Sequence, residues 1–431
     1  MQIPFVGGTS STRALVTVSV LFLLSACDTP TAPPAAAPRT AASRSARDLS
    51  AFDPCNTGQL SSGASWEICL PGTWNGSLIV WAHGYRSPFV PLAIPDDEVD
   101  GTPIKDIVLG LGFAYATTSY RSNGLAAVDG SYDVEDLLAE FASLVGVPAR
   151  AYLVGASEGS LSSILALERS TTHFSGGLTV CGPIGYFRGQ INYLGDFRVL
   201  FDYFFPGVLP GSAIQIPQQL IDHWDDVYVP AVLAALAAHP SATQQLLRVS
   251  HAPIDPNDPN TIGETASGIL WYNVFGTNEA STRLGGNPYD NRTRLYLGSD
   301  NDLRLNLTVK RYAASSTALA NLRAFETSGL LQRPAVSLHT TGDPIIPFWQ
   351  QTLYQFKTLA APSPAPFVGF PVSRYGHCTF TESEVLAGFA LLVQETGLTL
   401  TVPAALFSNR TAESQFLELA RARGANPTVS R

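Results

Sequence analysis

The sequence predicts an α/β protein: a mostly parallel sheet with helices on both faces, interrupted by one long, mainly helical stretch. Three observations predict it. Mainly apolar runs such as Leu78-Ile-Val-Trp-Ala82 and Gly112-Phe-Ala-Tyr-Ala-Thr-Thr118 fit strands covered on both faces. These runs alternate with segments whose apolar residues recur at helical spacing, the pattern of parallel strands joined by crossover helices. One run, Ala151 to Val154, leads into Gly155-Ala-Ser-Glu-Gly159, and a helical pattern follows at once from Ser160 to about Glu168.

Taken in order, the chain opens with Arg13, an apolar run from Ala14 to Leu24, and Leu24-Ser-Ala-Cys27. That run is too short to span a bilayer, which takes ~20 residues, but fits the apolar region of a secretory signal. Leu-Ser-Ala-Cys resembles the lipobox of bacterial lipoproteins, which implies cleavage before Cys27 and lipidation of its thiol. Residues 1–26 are therefore expected to be a signal peptide, and the protein an exported lipoprotein held at the periplasmic or cell surface. Residues 27–48, rich in Ala, Pro, Thr, Ser and Arg, cannot bury enough apolar surface to fold and read as a tether.

The folded part is expected from residue 49. Cys55 and Cys69 bracket a short loop or hairpin holding Trp66. The apolar runs Leu78 to Ala82 and Gly112 to Thr118 are strands, the first ending in His83-Gly84-Tyr85. From Asp133 to Leu144, apolar Val134, Leu137, Leu138, Phe141 and Leu144 mark a helix, closed by Gly146. The serine strand and helix come next, then Leu178-Thr-Val180, ending at Cys181. From about Tyr186 to residue 332 the pattern is helical with proline-rich loops. It returns to sheet with Ala335 to His339, a helix near Gln350 to Lys357, a strand near Phe367 to Val372, and a helix from Glu382 to Glu395.

Composition narrows the partners. Of 431 residues, 45% are hydrophobic and only 14% charged, and the net charge is -9. No basic stripe is present to neutralise phosphates, so nucleic acid is not an expected partner. Besides Cys27 there are four cysteines, Cys55, Cys69, Cys181 and Cys378, an even number that permits two disulfides and leaves three connectivities open. No Cys-x-x-Cys or Cys/His spacing points to a metal.

Gly-x-Ser-x-Gly between strand and helix has a steric cause. A serine at so sharp a turn holds a strained backbone, and its neighbours come too close together for side chains, so Gly155 and Gly159 have none. The helix N-terminus behind Ser157 aims unpaired N–H groups at the same spot. A serine nucleophile needs a base, and the base an orienting acid, in the chain order serine, acid, histidine. Of seven histidines only His377 follows the last sheet strand, just before the final helix pattern. Between Leu331 and His377 the one acidic residue is Asp343. Both lie at strand C-terminal ends, where an open parallel sheet gathers its ligands. Arg121 follows another strand end, reaching the site mouth or forming a surface salt bridge.

On these residues the chain resembles the α/β-hydrolase family, over about residues 70–182 and 333–400. The resemblance implies that Ser157 is the nucleophile, His377 the general base and acid, and Asp343 its carboxylate. His83-Gly84 matches the family's His-Gly turn after the third strand. It implies an oxyanion hole made by the backbone N–H groups of Tyr85 and Glu158. It also implies a core in two parts, residues 49–185 and 333–431, with residues 186–332 as a cap between strands 6 and 7. Eight aromatics between Tyr186 and Phe205 would form cap core or wall an apolar site. In the tannase and feruloyl-esterase branch a cysteine after the histidine bridges to one just before the serine. Here Cys378 follows His377, but Ala156 precedes Ser157, so that bridge is not available. Asp343-Pro-Ile-Ile-Pro347 and the long insert look more like secreted esterases and prolyl-oligopeptidase-related hydrolases. In this fold the loops of Cys181 and Cys378 flank the serine, so the pairing Cys55–Cys69 with Cys181–Cys378 is the least demanding. The expected activity is hydrolysis of a small-molecule or polymer-derived carboxylic ester through an acyl-enzyme, with no cofactor. A serine peptidase or amidase shares the whole triad, and a non-catalytic binding protein on the same fold is the remaining alternative.

Overall fold

A computed structural model describes residues 54–169 and 173–431. The expected signal peptide, Cys27 and the tether lie outside the described residues. Eight strands form the main sheet: β1 (Cys55–Gln59), β2 (Ser65–Cys69), β3 (Ser77–Ala82), β4 (Ala114–Thr118), β5 (Arg150–Ala156), β6 (Gly176–Val180), β7 (Ala335–Gly342) and β8 (Phe367–Tyr375). Their order across the sheet is β1-β2-β4-β3-β5-β6-β7-β8. The β1–β2 hairpin and the β2–β4 pair are antiparallel, and every other neighbour is parallel. The β3, β5 and β6 runs are continuous because both faces are covered; Leu78, Val80, Leu153 and Leu178 are at most 1% exposed.

Helices cover the two faces. Seven-residue α1 (Ile104–Gly110) lies on one face, and α2 (Ala127–Leu144) and α3 (Glu158–Arg169) on the other. The 127–144 helix starts before the expected Asp133, because Ala127, Gly130 and Ser131 are buried by neighbours that periodicity does not reveal. Between β6 and β7 the described elements are helical, beginning with α4 (Phe187–Phe204) and including a long helix, Asn260–Arg283. They bury a core of their own around Phe197, Phe201, Val232 and Ile269, which also takes in Ile345 and Ile346 from just beyond β7. Burying one such Phe or Ile contributes roughly 1.5–3 kcal/mol. The helix near Gln350 runs Trp349–Ala360, the one after β8 runs Glu382–Glu395, and a last helix Arg410–Ala422 follows. No described helix is long and apolar enough to cross a membrane.

The end of β8 is built to position the loop that carries His377. Its register against β7 shifts between Val372 and Tyr375, and Gly376 takes φ 109°. Thr340 Oγ1 donates to the Gly376 carbonyl at 2.6 Å. Thr381 and Glu384 form a capping box on the Glu382–Glu395 helix, and Arg374 grips Glu384 at 2.9 Å. Both anchors bracket His377.

Candidate active site

Ser157 sits between β5 and α3 with φ 53°, a left-handed conformation that a non-glycine residue holds only when its surroundings enforce it. The enforcing contacts are visible. A Cβ on Gly155 would collide with the Gly159 carbonyl and Ser163 Oγ, and one on Gly159 with the carbonyls of Ala82 and His83. The Ser157 N–H donates to the Val180 carbonyl at 2.8 Å, tying the turn to the end of β6.

His377 reaches this serine from the other side of the sheet end. Its Nε2 lies 3.0 Å from Ser157 Oγ, and its Nδ1 lies 2.7 Å from Asp343 Oδ2. Asp343 is fully buried, and its Oδ1 accepts the Ile345 and Ile346 N–H groups, each at 2.9 Å. With the carboxylate ionised, Nδ1–H donates to Oδ2, so Nε2 carries the lone pair and accepts from the serine hydroxyl. That tautomer follows from the network, and it is the one that can remove the serine proton. A second histidine, His339, sits 3.7 Å from Asp343, where burial pushes its pKa down. Its Nε2 is 2.7 Å from the Ile346 carbonyl and donates to it.

The four described cysteines form two disulfides, Cys55–Cys69 across the β1–β2 hairpin and Cys181–Cys378. The second joins the residue after β6 to the residue after His377, across 197 positions of sequence. The end of β6 thus holds both the serine turn and the histidine loop. The groups of possible metal ligands among the described residues are these disulfides with one neighbour each, His377 or Glu67, and bridged sulfurs are not thiolate ligands.

Tyr85 and Glu158 both border Ser157, and Gly84 lies so close that its Cβ would come within 3.2 Å of the serine Cβ. Neither backbone N–H donates to an acceptor among the described residues, so both are free for a developing oxyanion. His83 is buried, with Nδ1 2.6 Å from the Gly84 carbonyl and its ring stacked on Tyr120, and burial pushes its pKa down. It shapes the turn as a neutral ring. Arg121 borders neither cavity at Ser157 and pairs with buried Asp133 within the 127–144 helix, so of its two expected roles the salt bridge is the one found. The aromatics of residues 186–205 divide: Phe197, Phe201 and Phe205 are core, Phe187 borders the site, and Tyr193 donates to the Pro344 carbonyl at 2.7 Å.

The Glu158 side chain is the residue that sequence reasoning missed. Its Oε1 accepts the Ala126 and Ala127 N–H groups at 2.8 and 3.2 Å, while burial pushes its pKa up to about 8. The only signal was its place beside Ser157, because its partners are backbone groups that any residue supplies.

Two cavities meet at the serine. One, of about 110 Å³, lies under the helical segment and is bordered by Glu158, Phe187, Ile191, Glu279 and Ile345. The other, of about 310 Å³, runs between the sheet and α1 and is bordered by Trp81, Val108, Val154, His377 and Leu386. Ser157, Tyr85 and Tyr272 border both.

Strand order, the serine turn and the placement of Asp343 and His377 at strand ends define the class. The chain has the α/β-hydrolase fold. No family model matches the sequence, and no curated protein matches it. Among solved structures it is similar to an esterase from Aspergillus oryzae, at 14% identity over 78% of this chain and 77% of that one, with a TM-score of 0.42. It is also similar to feruloyl esterase B from Aspergillus oryzae, at 14% identity over 76% and 73%, TM-score 0.40. A third is the acylaminoacyl peptidase of Pyrococcus horikoshii, at 14% identity over 75% and 37%, TM-score 0.38. The chain spans 37% of the length of the acylaminoacyl peptidases it matches. Likeness at this level says nothing of activity.

Proposed function

We propose that the protein is a serine hydrolase that cleaves carboxylic esters. The observation that supports this most is the relay Ser157–His377–Asp343, with links of 3.0 and 2.7 Å on a strained serine turn. In this reading His377 Nε2 takes the Ser157 proton as Oγ attacks the ester carbonyl. The Tyr85 and Glu158 N–H groups hold the oxyanion, each such donor being worth about 3–4 kcal/mol of barrier. The alkoxide leaves with the proton from Nε2, and water activated by the same nitrogen releases the acid. No step draws on a cofactor. The mostly apolar cavities on both sides of Ser157 favour an ester over a peptide, whose flanking amides need polar partners.

The helical residues 186–332 are proposed to act as a cap over Ser157, and Cys27 to anchor the exported chain by a lipid. Purified protein should turn over a p-nitrophenyl ester faster than a peptide anilide; the reverse order would assign a peptidase. Cys27→Ser should leave the membrane fraction with its activity intact, and its retention there would remove the anchor.

A further inference from the structure

We infer that the apolar chamber behind Ser157 takes the alcohol part of the ester, so that the substrates are esters of linear aliphatic alcohols. The inference rests on the ester-hydrolase reading above and adds which side of the scissile bond each cavity receives.

The assignment starts from a proton. When the tetrahedral intermediate collapses, the C–O bond to the alcohol breaks and its electron pair stays on the leaving oxygen. That oxygen takes the proton held on His377 Nε2, so it must lie within hydrogen-bond reach of His377. His377 borders the chamber between sheet and α1 and does not border the cavity under the helical segment. The carbonyl oxygen points at the Tyr85 and Glu158 N–H groups, and the acyl group is left the cavity that Glu158 borders.

The chamber's chemistry then defines the alcohol. Trp81, Ile107, Val108, Val154, Leu178 and Phe389 supply its walls, and none offers a charge. Of the two carboxylates that border it, Asp97 is engaged by Trp81 Nε1 and by Arg86, each at 2.8 Å, and Glu98 is exposed to solvent. The walls descend along the strands. Ile79 is level with Tyr152, five residues before Ser157 on β5, a depth of roughly 16 Å at ~3.3 Å per residue. α1 leads through Leu111 to the start of β4, so Leu111 and Val108 lie toward the far end, away from Ser157. A long chamber walled mainly by apolar side chains and reaching aliphatic side chains at its far end suits an unbranched alkyl chain.

The test is kcat/KM for acetate esters from ethyl to octyl alcohol, beside ethyl esters from acetate to octanoate, on the purified protein. The alcohol series should rise by at least about tenfold and the acyl series by much less, since each buried methylene contributes up to ~0.8 kcal/mol. Val108→Phe and Leu111→Phe, which fill the far end, should each abolish the gain of octyl over ethyl acetate. Thermal melting checks that either variant is folded, and one folded variant suffices. A rise confined to the acyl series, or an octyl preference unmoved in a folded variant, would overturn the inference and leave the hydrolase standing. No ester turnover, together with a Ser157 inert to fluorophosphonate, would overturn both.

Discussion

Asp343→Asn isolates the chemistry of the relay from its geometry. Asp343 Oδ1 is fixed by two backbone donors, Ile345 and Ile346, at 2.9 Å. In the asparagine only the amide oxygen can accept those bonds, so the amide nitrogen is forced to the position of Oδ2. There it faces His377 Nδ1 across the present 2.7 Å contact. Two N–H groups cannot face one another, so Nδ1 must give up its proton and accept. The proton then sits on Nε2, facing Ser157 Oγ, and the base is lost while every heavy atom stays in place. The expected loss is about 10⁴-fold in kcat, or about 5.5 kcal/mol of barrier. The assay is p-nitrophenyl ester turnover, with melting to confirm the fold. Asp343→Asn retaining a tenth or more of wild-type kcat would refute the assignment of Asp343.

Three further outcomes follow from the same contacts. Gly159→Ala should cost about 1–3 kcal/mol of stability and most of the activity, because its methyl meets the rigid carbonyls of Ala82 and His83; a fully active, unshifted variant would contradict the turn described here. Replacing Cys181 and Cys378 together by serine should remove up to about 5 kcal/mol in the chain-entropy model, measured by denaturant unfolding. It should also lower activity by freeing the His377 loop, and equal stability and activity would count against the bridge. Burial raises the Glu158 pKa above its unfolded value to about 8, so the folded state binds the proton more tightly and stability falls as pH rises through that range. Glu158→Gln keeps an acceptor for Ala126 and Ala127 and should flatten that slope, whereas parallel stability–pH curves would show that Glu158 does not titrate there.

What could be read in advance was what local sterics and chain order fix. Gly155 and Gly159 announce the turn because no other residue fits against those carbonyls. Asp343 and His377 could be singled out because each is the one residue of its kind at the right strand end. The Glu382–Glu395 helix is bounded as expected, since Thr381 and Glu384 state its start in their own chemistry. The rest depends on partners distant in sequence. Arg121 gives no sign that Asp133 will claim it, nor Glu158 that the Ala126 and Ala127 N–H groups will. Phe187 and Phe197 are alike in sequence, yet one borders the site and the other fills a core. The chamber behind Ser157 draws on β3, β5, β6, α1 and the Glu382–Glu395 helix, so no segment alone encodes it.

The most direct measurement of the central claim is covalent labelling. Wild-type protein treated with a fluorophosphonate should gain one adduct, which peptide mass mapping places on Ser157, and Ser157→Ala should gain none. His377→Ala should label far more slowly, because the hydroxyl has lost its base. An adduct on a different serine, or a folded wild-type protein that takes up no label while hydrolysing esters, would contradict the claim that Ser157 is the nucleophile.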